Sequence, residues 1–120
     1  MARCSGAMKG AEIRALIERH RFSVTSEAEL QRAVCEILTR QNIPYQTEVR
    51  MGPKDRLDIL VGSVGLELKV KPLKASHIEQ IWRYLQHPSI TEMVYVTTRR
   101  TASLGPELLG KPVLLAIASV

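Results

Sequence analysis

Aromatic residues, cysteines and long apolar runs are all scarce in this sequence. One Phe, one Trp and three Tyr cannot line a face on which successive bases stack, so a single-strand stacking platform is poorly supported. The two cysteines, Cys4 and Cys35, fall in an expected tail and an expected helix. They form no CxxC pair, no Cys/His spacing fits zinc, and free thiols suit a reducing compartment. No apolar stretch approaches the ~20 residues that span a bilayer. Met1 to Gly10 lacks the apolar core of a secretory signal. These absences predict a cytoplasmic protein with no membrane partner. Repeats and low-complexity segments are absent as well.

What is present describes an ordinary globular domain. A chain of 120 residues with 45% apolar content can bury one modest core but not two. We expect a flexible tail over 1–10 and a single domain over 11–120. The net charge of +5 favours a polyanionic partner, because Lys and Arg release counterions from phosphates on binding.

The patterning predicts helices over Ala11 to His20, from Ser26 to about Asn42, and from Ser76 to about His87. Ser26 with Glu29, and Ser76 with Glu79, have capping-box spacing. The last helix is expected to bury a stripe of Ile78, Ile81, Trp82 and Leu85, leaving Gln80 and Tyr84 facing solvent. Strands are expected at Tyr45 to Met51, Leu57 to Val61, Leu66 to Val70, Met93 to Thr97 and Val113 to Ala118. Gly62-Ser63-Val64-Gly65 has hairpin chemistry, and Gly105-Pro106 starts a loop. The result is an α/β fold, a central mixed β-sheet flanked by helices.

Three charges lie inside segments that should be buried: Asp58 in Leu-Asp-Ile-Leu-Val, and Glu67 and Lys69 in Leu-Glu-Leu-Lys-Val. Burying charge is costly unless it is paired or binds a metal. Alternation puts Glu67 and Lys69 on one face, about 7 Å apart, and the hairpin returns that face beside Asp58. A surface salt bridge is the ordinary explanation of Glu-x-Lys on a strand, but the apolar neighbours of Asp58 argue against it. Two hard carboxylates suit Mg²⁺ or Mn²⁺, with the Leu68 backbone carbonyl as a further oxygen, and Lys69 beside them would orient or deprotonate a water.

Asp58 followed by Glu67-Leu68-Lys69 after a short hairpin resembles the PD-(D/E)XK nuclease superfamily, with Leu57 in place of the signature proline. The order of elements across Ser26 to Val96 is similar too. The resemblance implies a restriction-endonuclease-like core and a Mg²⁺-dependent DNA endonuclease, structure-selective in repair, recombination or phage replication. Compact Holliday-junction resolvases and VRR-NUC domains are both similar. Ser26-Glu27-Ala28-Glu29-Leu30-Gln31 resembles the opening helix of the latter, and Gln80 with Tyr84 resembles a Q-x-x-x-Y element of exonuclease-like members. It implies Asp58 and Glu67 as metal ligands, Lys69 as the water-activating group and Glu27 as a further acid. A two-fold homodimer is compatible with it, since cutting both strands of a symmetric junction needs two sites. The alternative is a nucleic-acid-binding module on the same fold that does not cut.

Arg50, Lys54, Arg56, Lys71, Lys74, Gln80 and Tyr84 are the candidate DNA contacts. His77 and His87 are read as surface residues and Trp82 as core. Of the two acids in the first turn of the second helix, Glu27 continues the stripe of Leu30, Val34, Ile37 and Leu38, at about 60° from Leu30. Glu29, at about 260°, faces away and suits the capping role.

Overall fold

A computed structural model describes residues 8–100 and 102–120; Cys4 and the tail expected before Met8 lie outside the described residues. Helix α1 spans Gly10–Glu18, α2 Glu27–Arg40 and α3 Ala75–Leu85. The strands are β1 Gln46–Arg50, β2 Arg56–Val61, β3 Val64–Lys69, β4 Glu92–Thr97, β5 Glu107–Leu108 and β6 Lys111–Ile117. No helix among the described residues is long and apolar enough to cross a membrane.

Helix α2 is fixed at both ends by its own sequence. The Ser26 hydroxyl accepts the Glu29 N–H at 3.1 Å, while the Glu29 carboxylate accepts the Thr25 N–H at 2.7 Å. At the far end Asn42 turns left-handed at φ 57°, and the Ile43 and Asn42 amides close onto Leu38 and Thr39 carbonyls. Gly10, expected in the tail, instead opens α1. Its N–H donates to Glu92 Oε1 at 3.1 Å, and a Cβ there would sit 2.6 Å from the same oxygen.

Helix α3 departs from expectation in two ways. Lys74, not Ser76, is its N-cap, and His77 reaches back to accept the Lys74 N–H at 3.1 Å. The helix is also rotated, so that Ile81, Tyr84 and Leu85 face the sheet while Ile78 and Trp82 are 40% and 44% exposed. Trp82 is therefore not core. Tyr84 is fully buried, and its hydroxyl donates to the Arg56 carbonyl at 2.9 Å. Satisfying that hydroxyl is what allows a tyrosine to replace a tryptophan inside.

The six strands form one mixed sheet in the order β1-β2-β3-β4-β6-β5. Strands β1, β2 and β3 are antiparallel, β3, β4 and β6 parallel, and β5 antiparallel to β6. Strand β5 lies where a loop was expected. Leu109 and Gly110, both at positive φ, form the two-residue turn that joins it to β6. Helices α1 and α2 cover one face, packing Ile13, Ile17, Leu30 and Val34 on Leu66, Leu68, Val94 and Val96. Helix α3 covers the other, with Ile81, Tyr84 and Leu85 on Leu57, Met93 and Tyr95. Burial on both faces is why β3 and β4 read as near-continuous apolar runs, and why a charge within them is conspicuous.

Candidate active site

Strands β2 and β3 leave the Gly62–Ser63 turn paired through Val61–Val64, Leu60–Gly65 and Ile59–Leu66, and there their ladder ends. Asp58 and Glu67 come next. The Asp58 carboxylate enters the opening, and its Oδ2 accepts the Leu68 N–H at 2.9 Å. A side chain thus satisfies an amide that the ladder has released. The N–H and C=O of one residue in an extended strand point the same way, so the Leu68 carbonyl also faces this opening.

The side chains change faces at this level. Ile59 and Val61 pack with α1 and α2, yet Leu57 packs with α3. The chain at β1 does the same, with Tyr45 just before the strand on the first side and Val49 within it on the second. Between them lies Glu48, opposite Asp58 in the register, with φ 53°. A non-glycine residue in that region in mid-strand is strained.

Glu67 is 3% exposed, and its Oε1 is buried without a hydrogen-bond partner. Burial raises its pKa from an ordinary 4.5 to about 8; the nearby Asp58 charge adds to this and Lys69 opposes it. Burial likewise lifts Asp58 from 3.8 to about 6, opposed by the Leu68 amide and reinforced by the charge of Glu48. Lys69 leaves the end of β3 with its Nζ 3.7 Å from Glu27 Oε1 at the start of α2. Tyr84 and Tyr95 close the α3 side. Burial pushes both phenols upward, and the Glu67 charge pushes them further.

The structure therefore gathers Asp58, Glu67, Leu68, Lys69 and Glu27, and turns Glu29 aside onto Thr25. Arg56 joins the edge of the group through Glu48, Nη1 to Oε1 at 3.7 Å. Arg50 on β1, Lys54 in the β1–β2 loop, and Lys71 and Lys74 between β3 and α3 are exposed, and Gln80 is half-buried on α3. Tyr84 cannot be an exposed DNA contact, because α3 buries it beneath the site.

Glu48 and Arg99 escaped the sequence reading, which placed Gln31 only in the opening helix and His77 on the surface. Glu48 and Gln31 are linked, Nε2 to Oε2, at 3.1 Å. Arg99 donates to the Val70 carbonyl at 3.1 Å, just beyond Lys69. The His77 ring sits beside Tyr95, and burial, Lys69 and Lys74 lower its pKa. Only Glu48 carried any signal, as an acid within a short strand preceding the one that holds Asp58.

Among the described residues no group of three or more His, Cys, Asp or Glu forms a ready-made metal cage. A hard cation does not need one: Mg²⁺ keeps several waters and takes one or two carboxylates. The orphaned Glu67 oxygen, Asp58 and the Leu68 carbonyl fit that requirement.

No protein-family model, curated protein or solved structure matches this chain.

Proposed function

We propose that this chain is a Mg²⁺- or Mn²⁺-dependent DNA nuclease of the PD-(D/E)XK kind, on a restriction-endonuclease-like core. One observation carries the reading. Glu67 holds a buried, unpartnered carboxylate oxygen beside Asp58, where β2 and β3 part, and the Lys69 ammonium comes off the same strand. Burying Glu67 beside the half-buried Asp58 costs stability and Oε1 finds no hydrogen bond to offset it, whereas a cation would satisfy both acids.

Asp58, Glu67 and the Leu68 carbonyl are the residues that would hold the ion. When bound, it would acidify an attacking water and offset negative charge on the phosphate. Lys69 supplies a positive charge and three donors with which to orient the water or the scissile phosphate. Glu27 holds that ammonium from the α2 side, so it acts by positioning Lys69. The floor beneath is closed by Tyr84 and Tyr95, which exclude solvent from Glu67. Arg50, Lys54, Arg56, Lys71 and Lys74 supply phosphate contacts, which position a strand without reading its sequence.

The direct test assays linear, nicked, flapped and four-way-junction DNA with Mg²⁺ or Mn²⁺, and again with EDTA. Cleavage that depends on the ion supports the reading. Salt-sensitive binding without any cutting would leave the fold as a binding module, and indifference to all four DNAs would reject nucleic acid as the partner.

A further inference from the structure

Glu48 poses a problem that an ordinary strand glutamate does not. Its backbone is left-handed at φ 53°, a conformation that glycine or asparagine adopts far more readily. An exposed Glu–Arg pair of the kind it makes with Arg56 forms in regular strands with no such strain, and contributes little. The strain is placed where both edge strands swap faces, directly across from Asp58. Glycine would serve the backbone better, so the side chain is what needs an explanation. It is held from two sides, by Gln31 Nε2 at 3.1 Å and by Arg56 Nη1 at 3.7 Å. The Gln31 amide lies 3.5 Å from the Asp58 carbonyl as well, tying the two strands' acids to α2.

This arrangement brings a further negative charge toward Asp58, whose carboxylate and that of Glu67 already repel each other. Repulsion of that kind is tolerable where a cation resides, and the buried, unpartnered Glu67 Oε1 marks such a place independently. We infer that Glu48 belongs to the cation site of Asp58 and Glu67, adding its charge to hold the ion, and that its left-handed backbone is the cost of presenting that charge. The inference rests on reading Asp58 and Glu67 as a cation site.

The test measures Mn²⁺ binding by titration and thermal unfolding in EDTA for the wild type, Glu48→Gly, Glu48→Gln and Glu48→Asp. Glycine relieves the backbone, so Glu48→Gly should melt about 2–4 °C above the wild type in EDTA. It should also bind Mn²⁺ about tenfold more weakly, from the loss of one nearby charge. Glu48→Gln retains an acceptor for Gln31 but no charge, so it should lose the same affinity. Glu48→Asp keeps the charge and tolerates the left-handed region, so it should stay within about twofold of the wild type. Wild-type affinity in Glu48→Gln would overturn the inference, whatever Glu48→Gly does, because charge would then be irrelevant. A wild type that binds no Mn²⁺ at all would overturn the cation-site reading and this inference with it.

Discussion

Replacing Glu67 by Gln should stabilise the metal-free protein, and the gain should grow with pH. Glu67 ionises near pH 8 in the fold against 4.5 ordinarily, so the folded state prefers the neutral form. A raised acid pKa contributes stability that is fully present below pH 4.5 and is lost as pH rises to about 8. The shift sets a ceiling of about 5 kcal/mol, reached above pH 8, at 1.36 kcal/mol per unit. Water reaching the opening between β2 and β3 lowers this to about 2 kcal/mol. Gln keeps the shape and remains neutral throughout. Urea unfolding in EDTA should give nearly equal midpoints for wild type and Glu67→Gln at pH 5. By pH 8 the variant should lead by roughly 1 M. Adding Mg²⁺ at pH 8 should stabilise the wild type and leave Glu67→Gln unchanged, since only the former gains a ligand. A difference that stays constant with pH, or a variant weaker at pH 8, would refute the argument that burial of this carboxylate opposes folding.

Glu27→Gln should slow cleavage at least ~10-fold, about 1.4 kcal/mol of barrier, with little change in melting temperature. Glu29→Gln should cut normally, because its partners are Thr25 and Ser26 and Gln can still accept from Thr25; a slow Glu29→Gln beside a normal Glu27→Gln would reverse the assignment. Neutralising Lys71 and Lys74 together should flatten the slope of log affinity against log salt by roughly 1–2, and an unchanged slope would place the DNA elsewhere. Tyr84→Phe should cost about 1 kcal/mol of stability through the lost bond to the Arg56 carbonyl, measured by urea unfolding. On the same helix Trp82→Gln should cost less than about 0.5 kcal/mol, as an exposed position allows.

The parts legible in the sequence were those written in local chemistry. Ser26 and Asn42 bound α2, Gly62-Ser63-Val64-Gly65 marks the hairpin although β3 already begins at Val64, and Leu-Glu-Leu-Lys-Val places Glu67 and Lys69 on one face. The helical angle separating Glu27 from Glu29 needed only 100° per residue, and Glu27 indeed lies against Lys69. What depended on tertiary contact was not legible. The rotation of α3 is decided by a hydroxyl reaching a carbonyl on another element, which no periodicity encodes, so Trp82 and Tyr84 exchanged places. Strand β5 has two residues, too few for alternation, and its Leu109–Gly110 turn lacks the usual Asn-Gly signature. Glu48 was missed because its place across from Asp58 follows from a register across the loop at Gly52 to Asp55, and from a left-handed backbone that a glutamate does not advertise.

Single-turnover cleavage of a labelled DNA by wild type and Asp58→Ala across a Mg²⁺ titration tests most directly whether Asp58 and Glu67 hold a cation that DNA cleavage requires. The account predicts a wild-type rate that rises with Mg²⁺ and vanishes in EDTA. Asp58→Ala should stay folded, yet cut at least ~10³-fold more slowly at every Mg²⁺ concentration, a loss of about 4 kcal/mol in transition-state stabilisation. Asp58→Ala cutting at the wild-type rate, or a wild type that cuts equally well in EDTA, would contradict it.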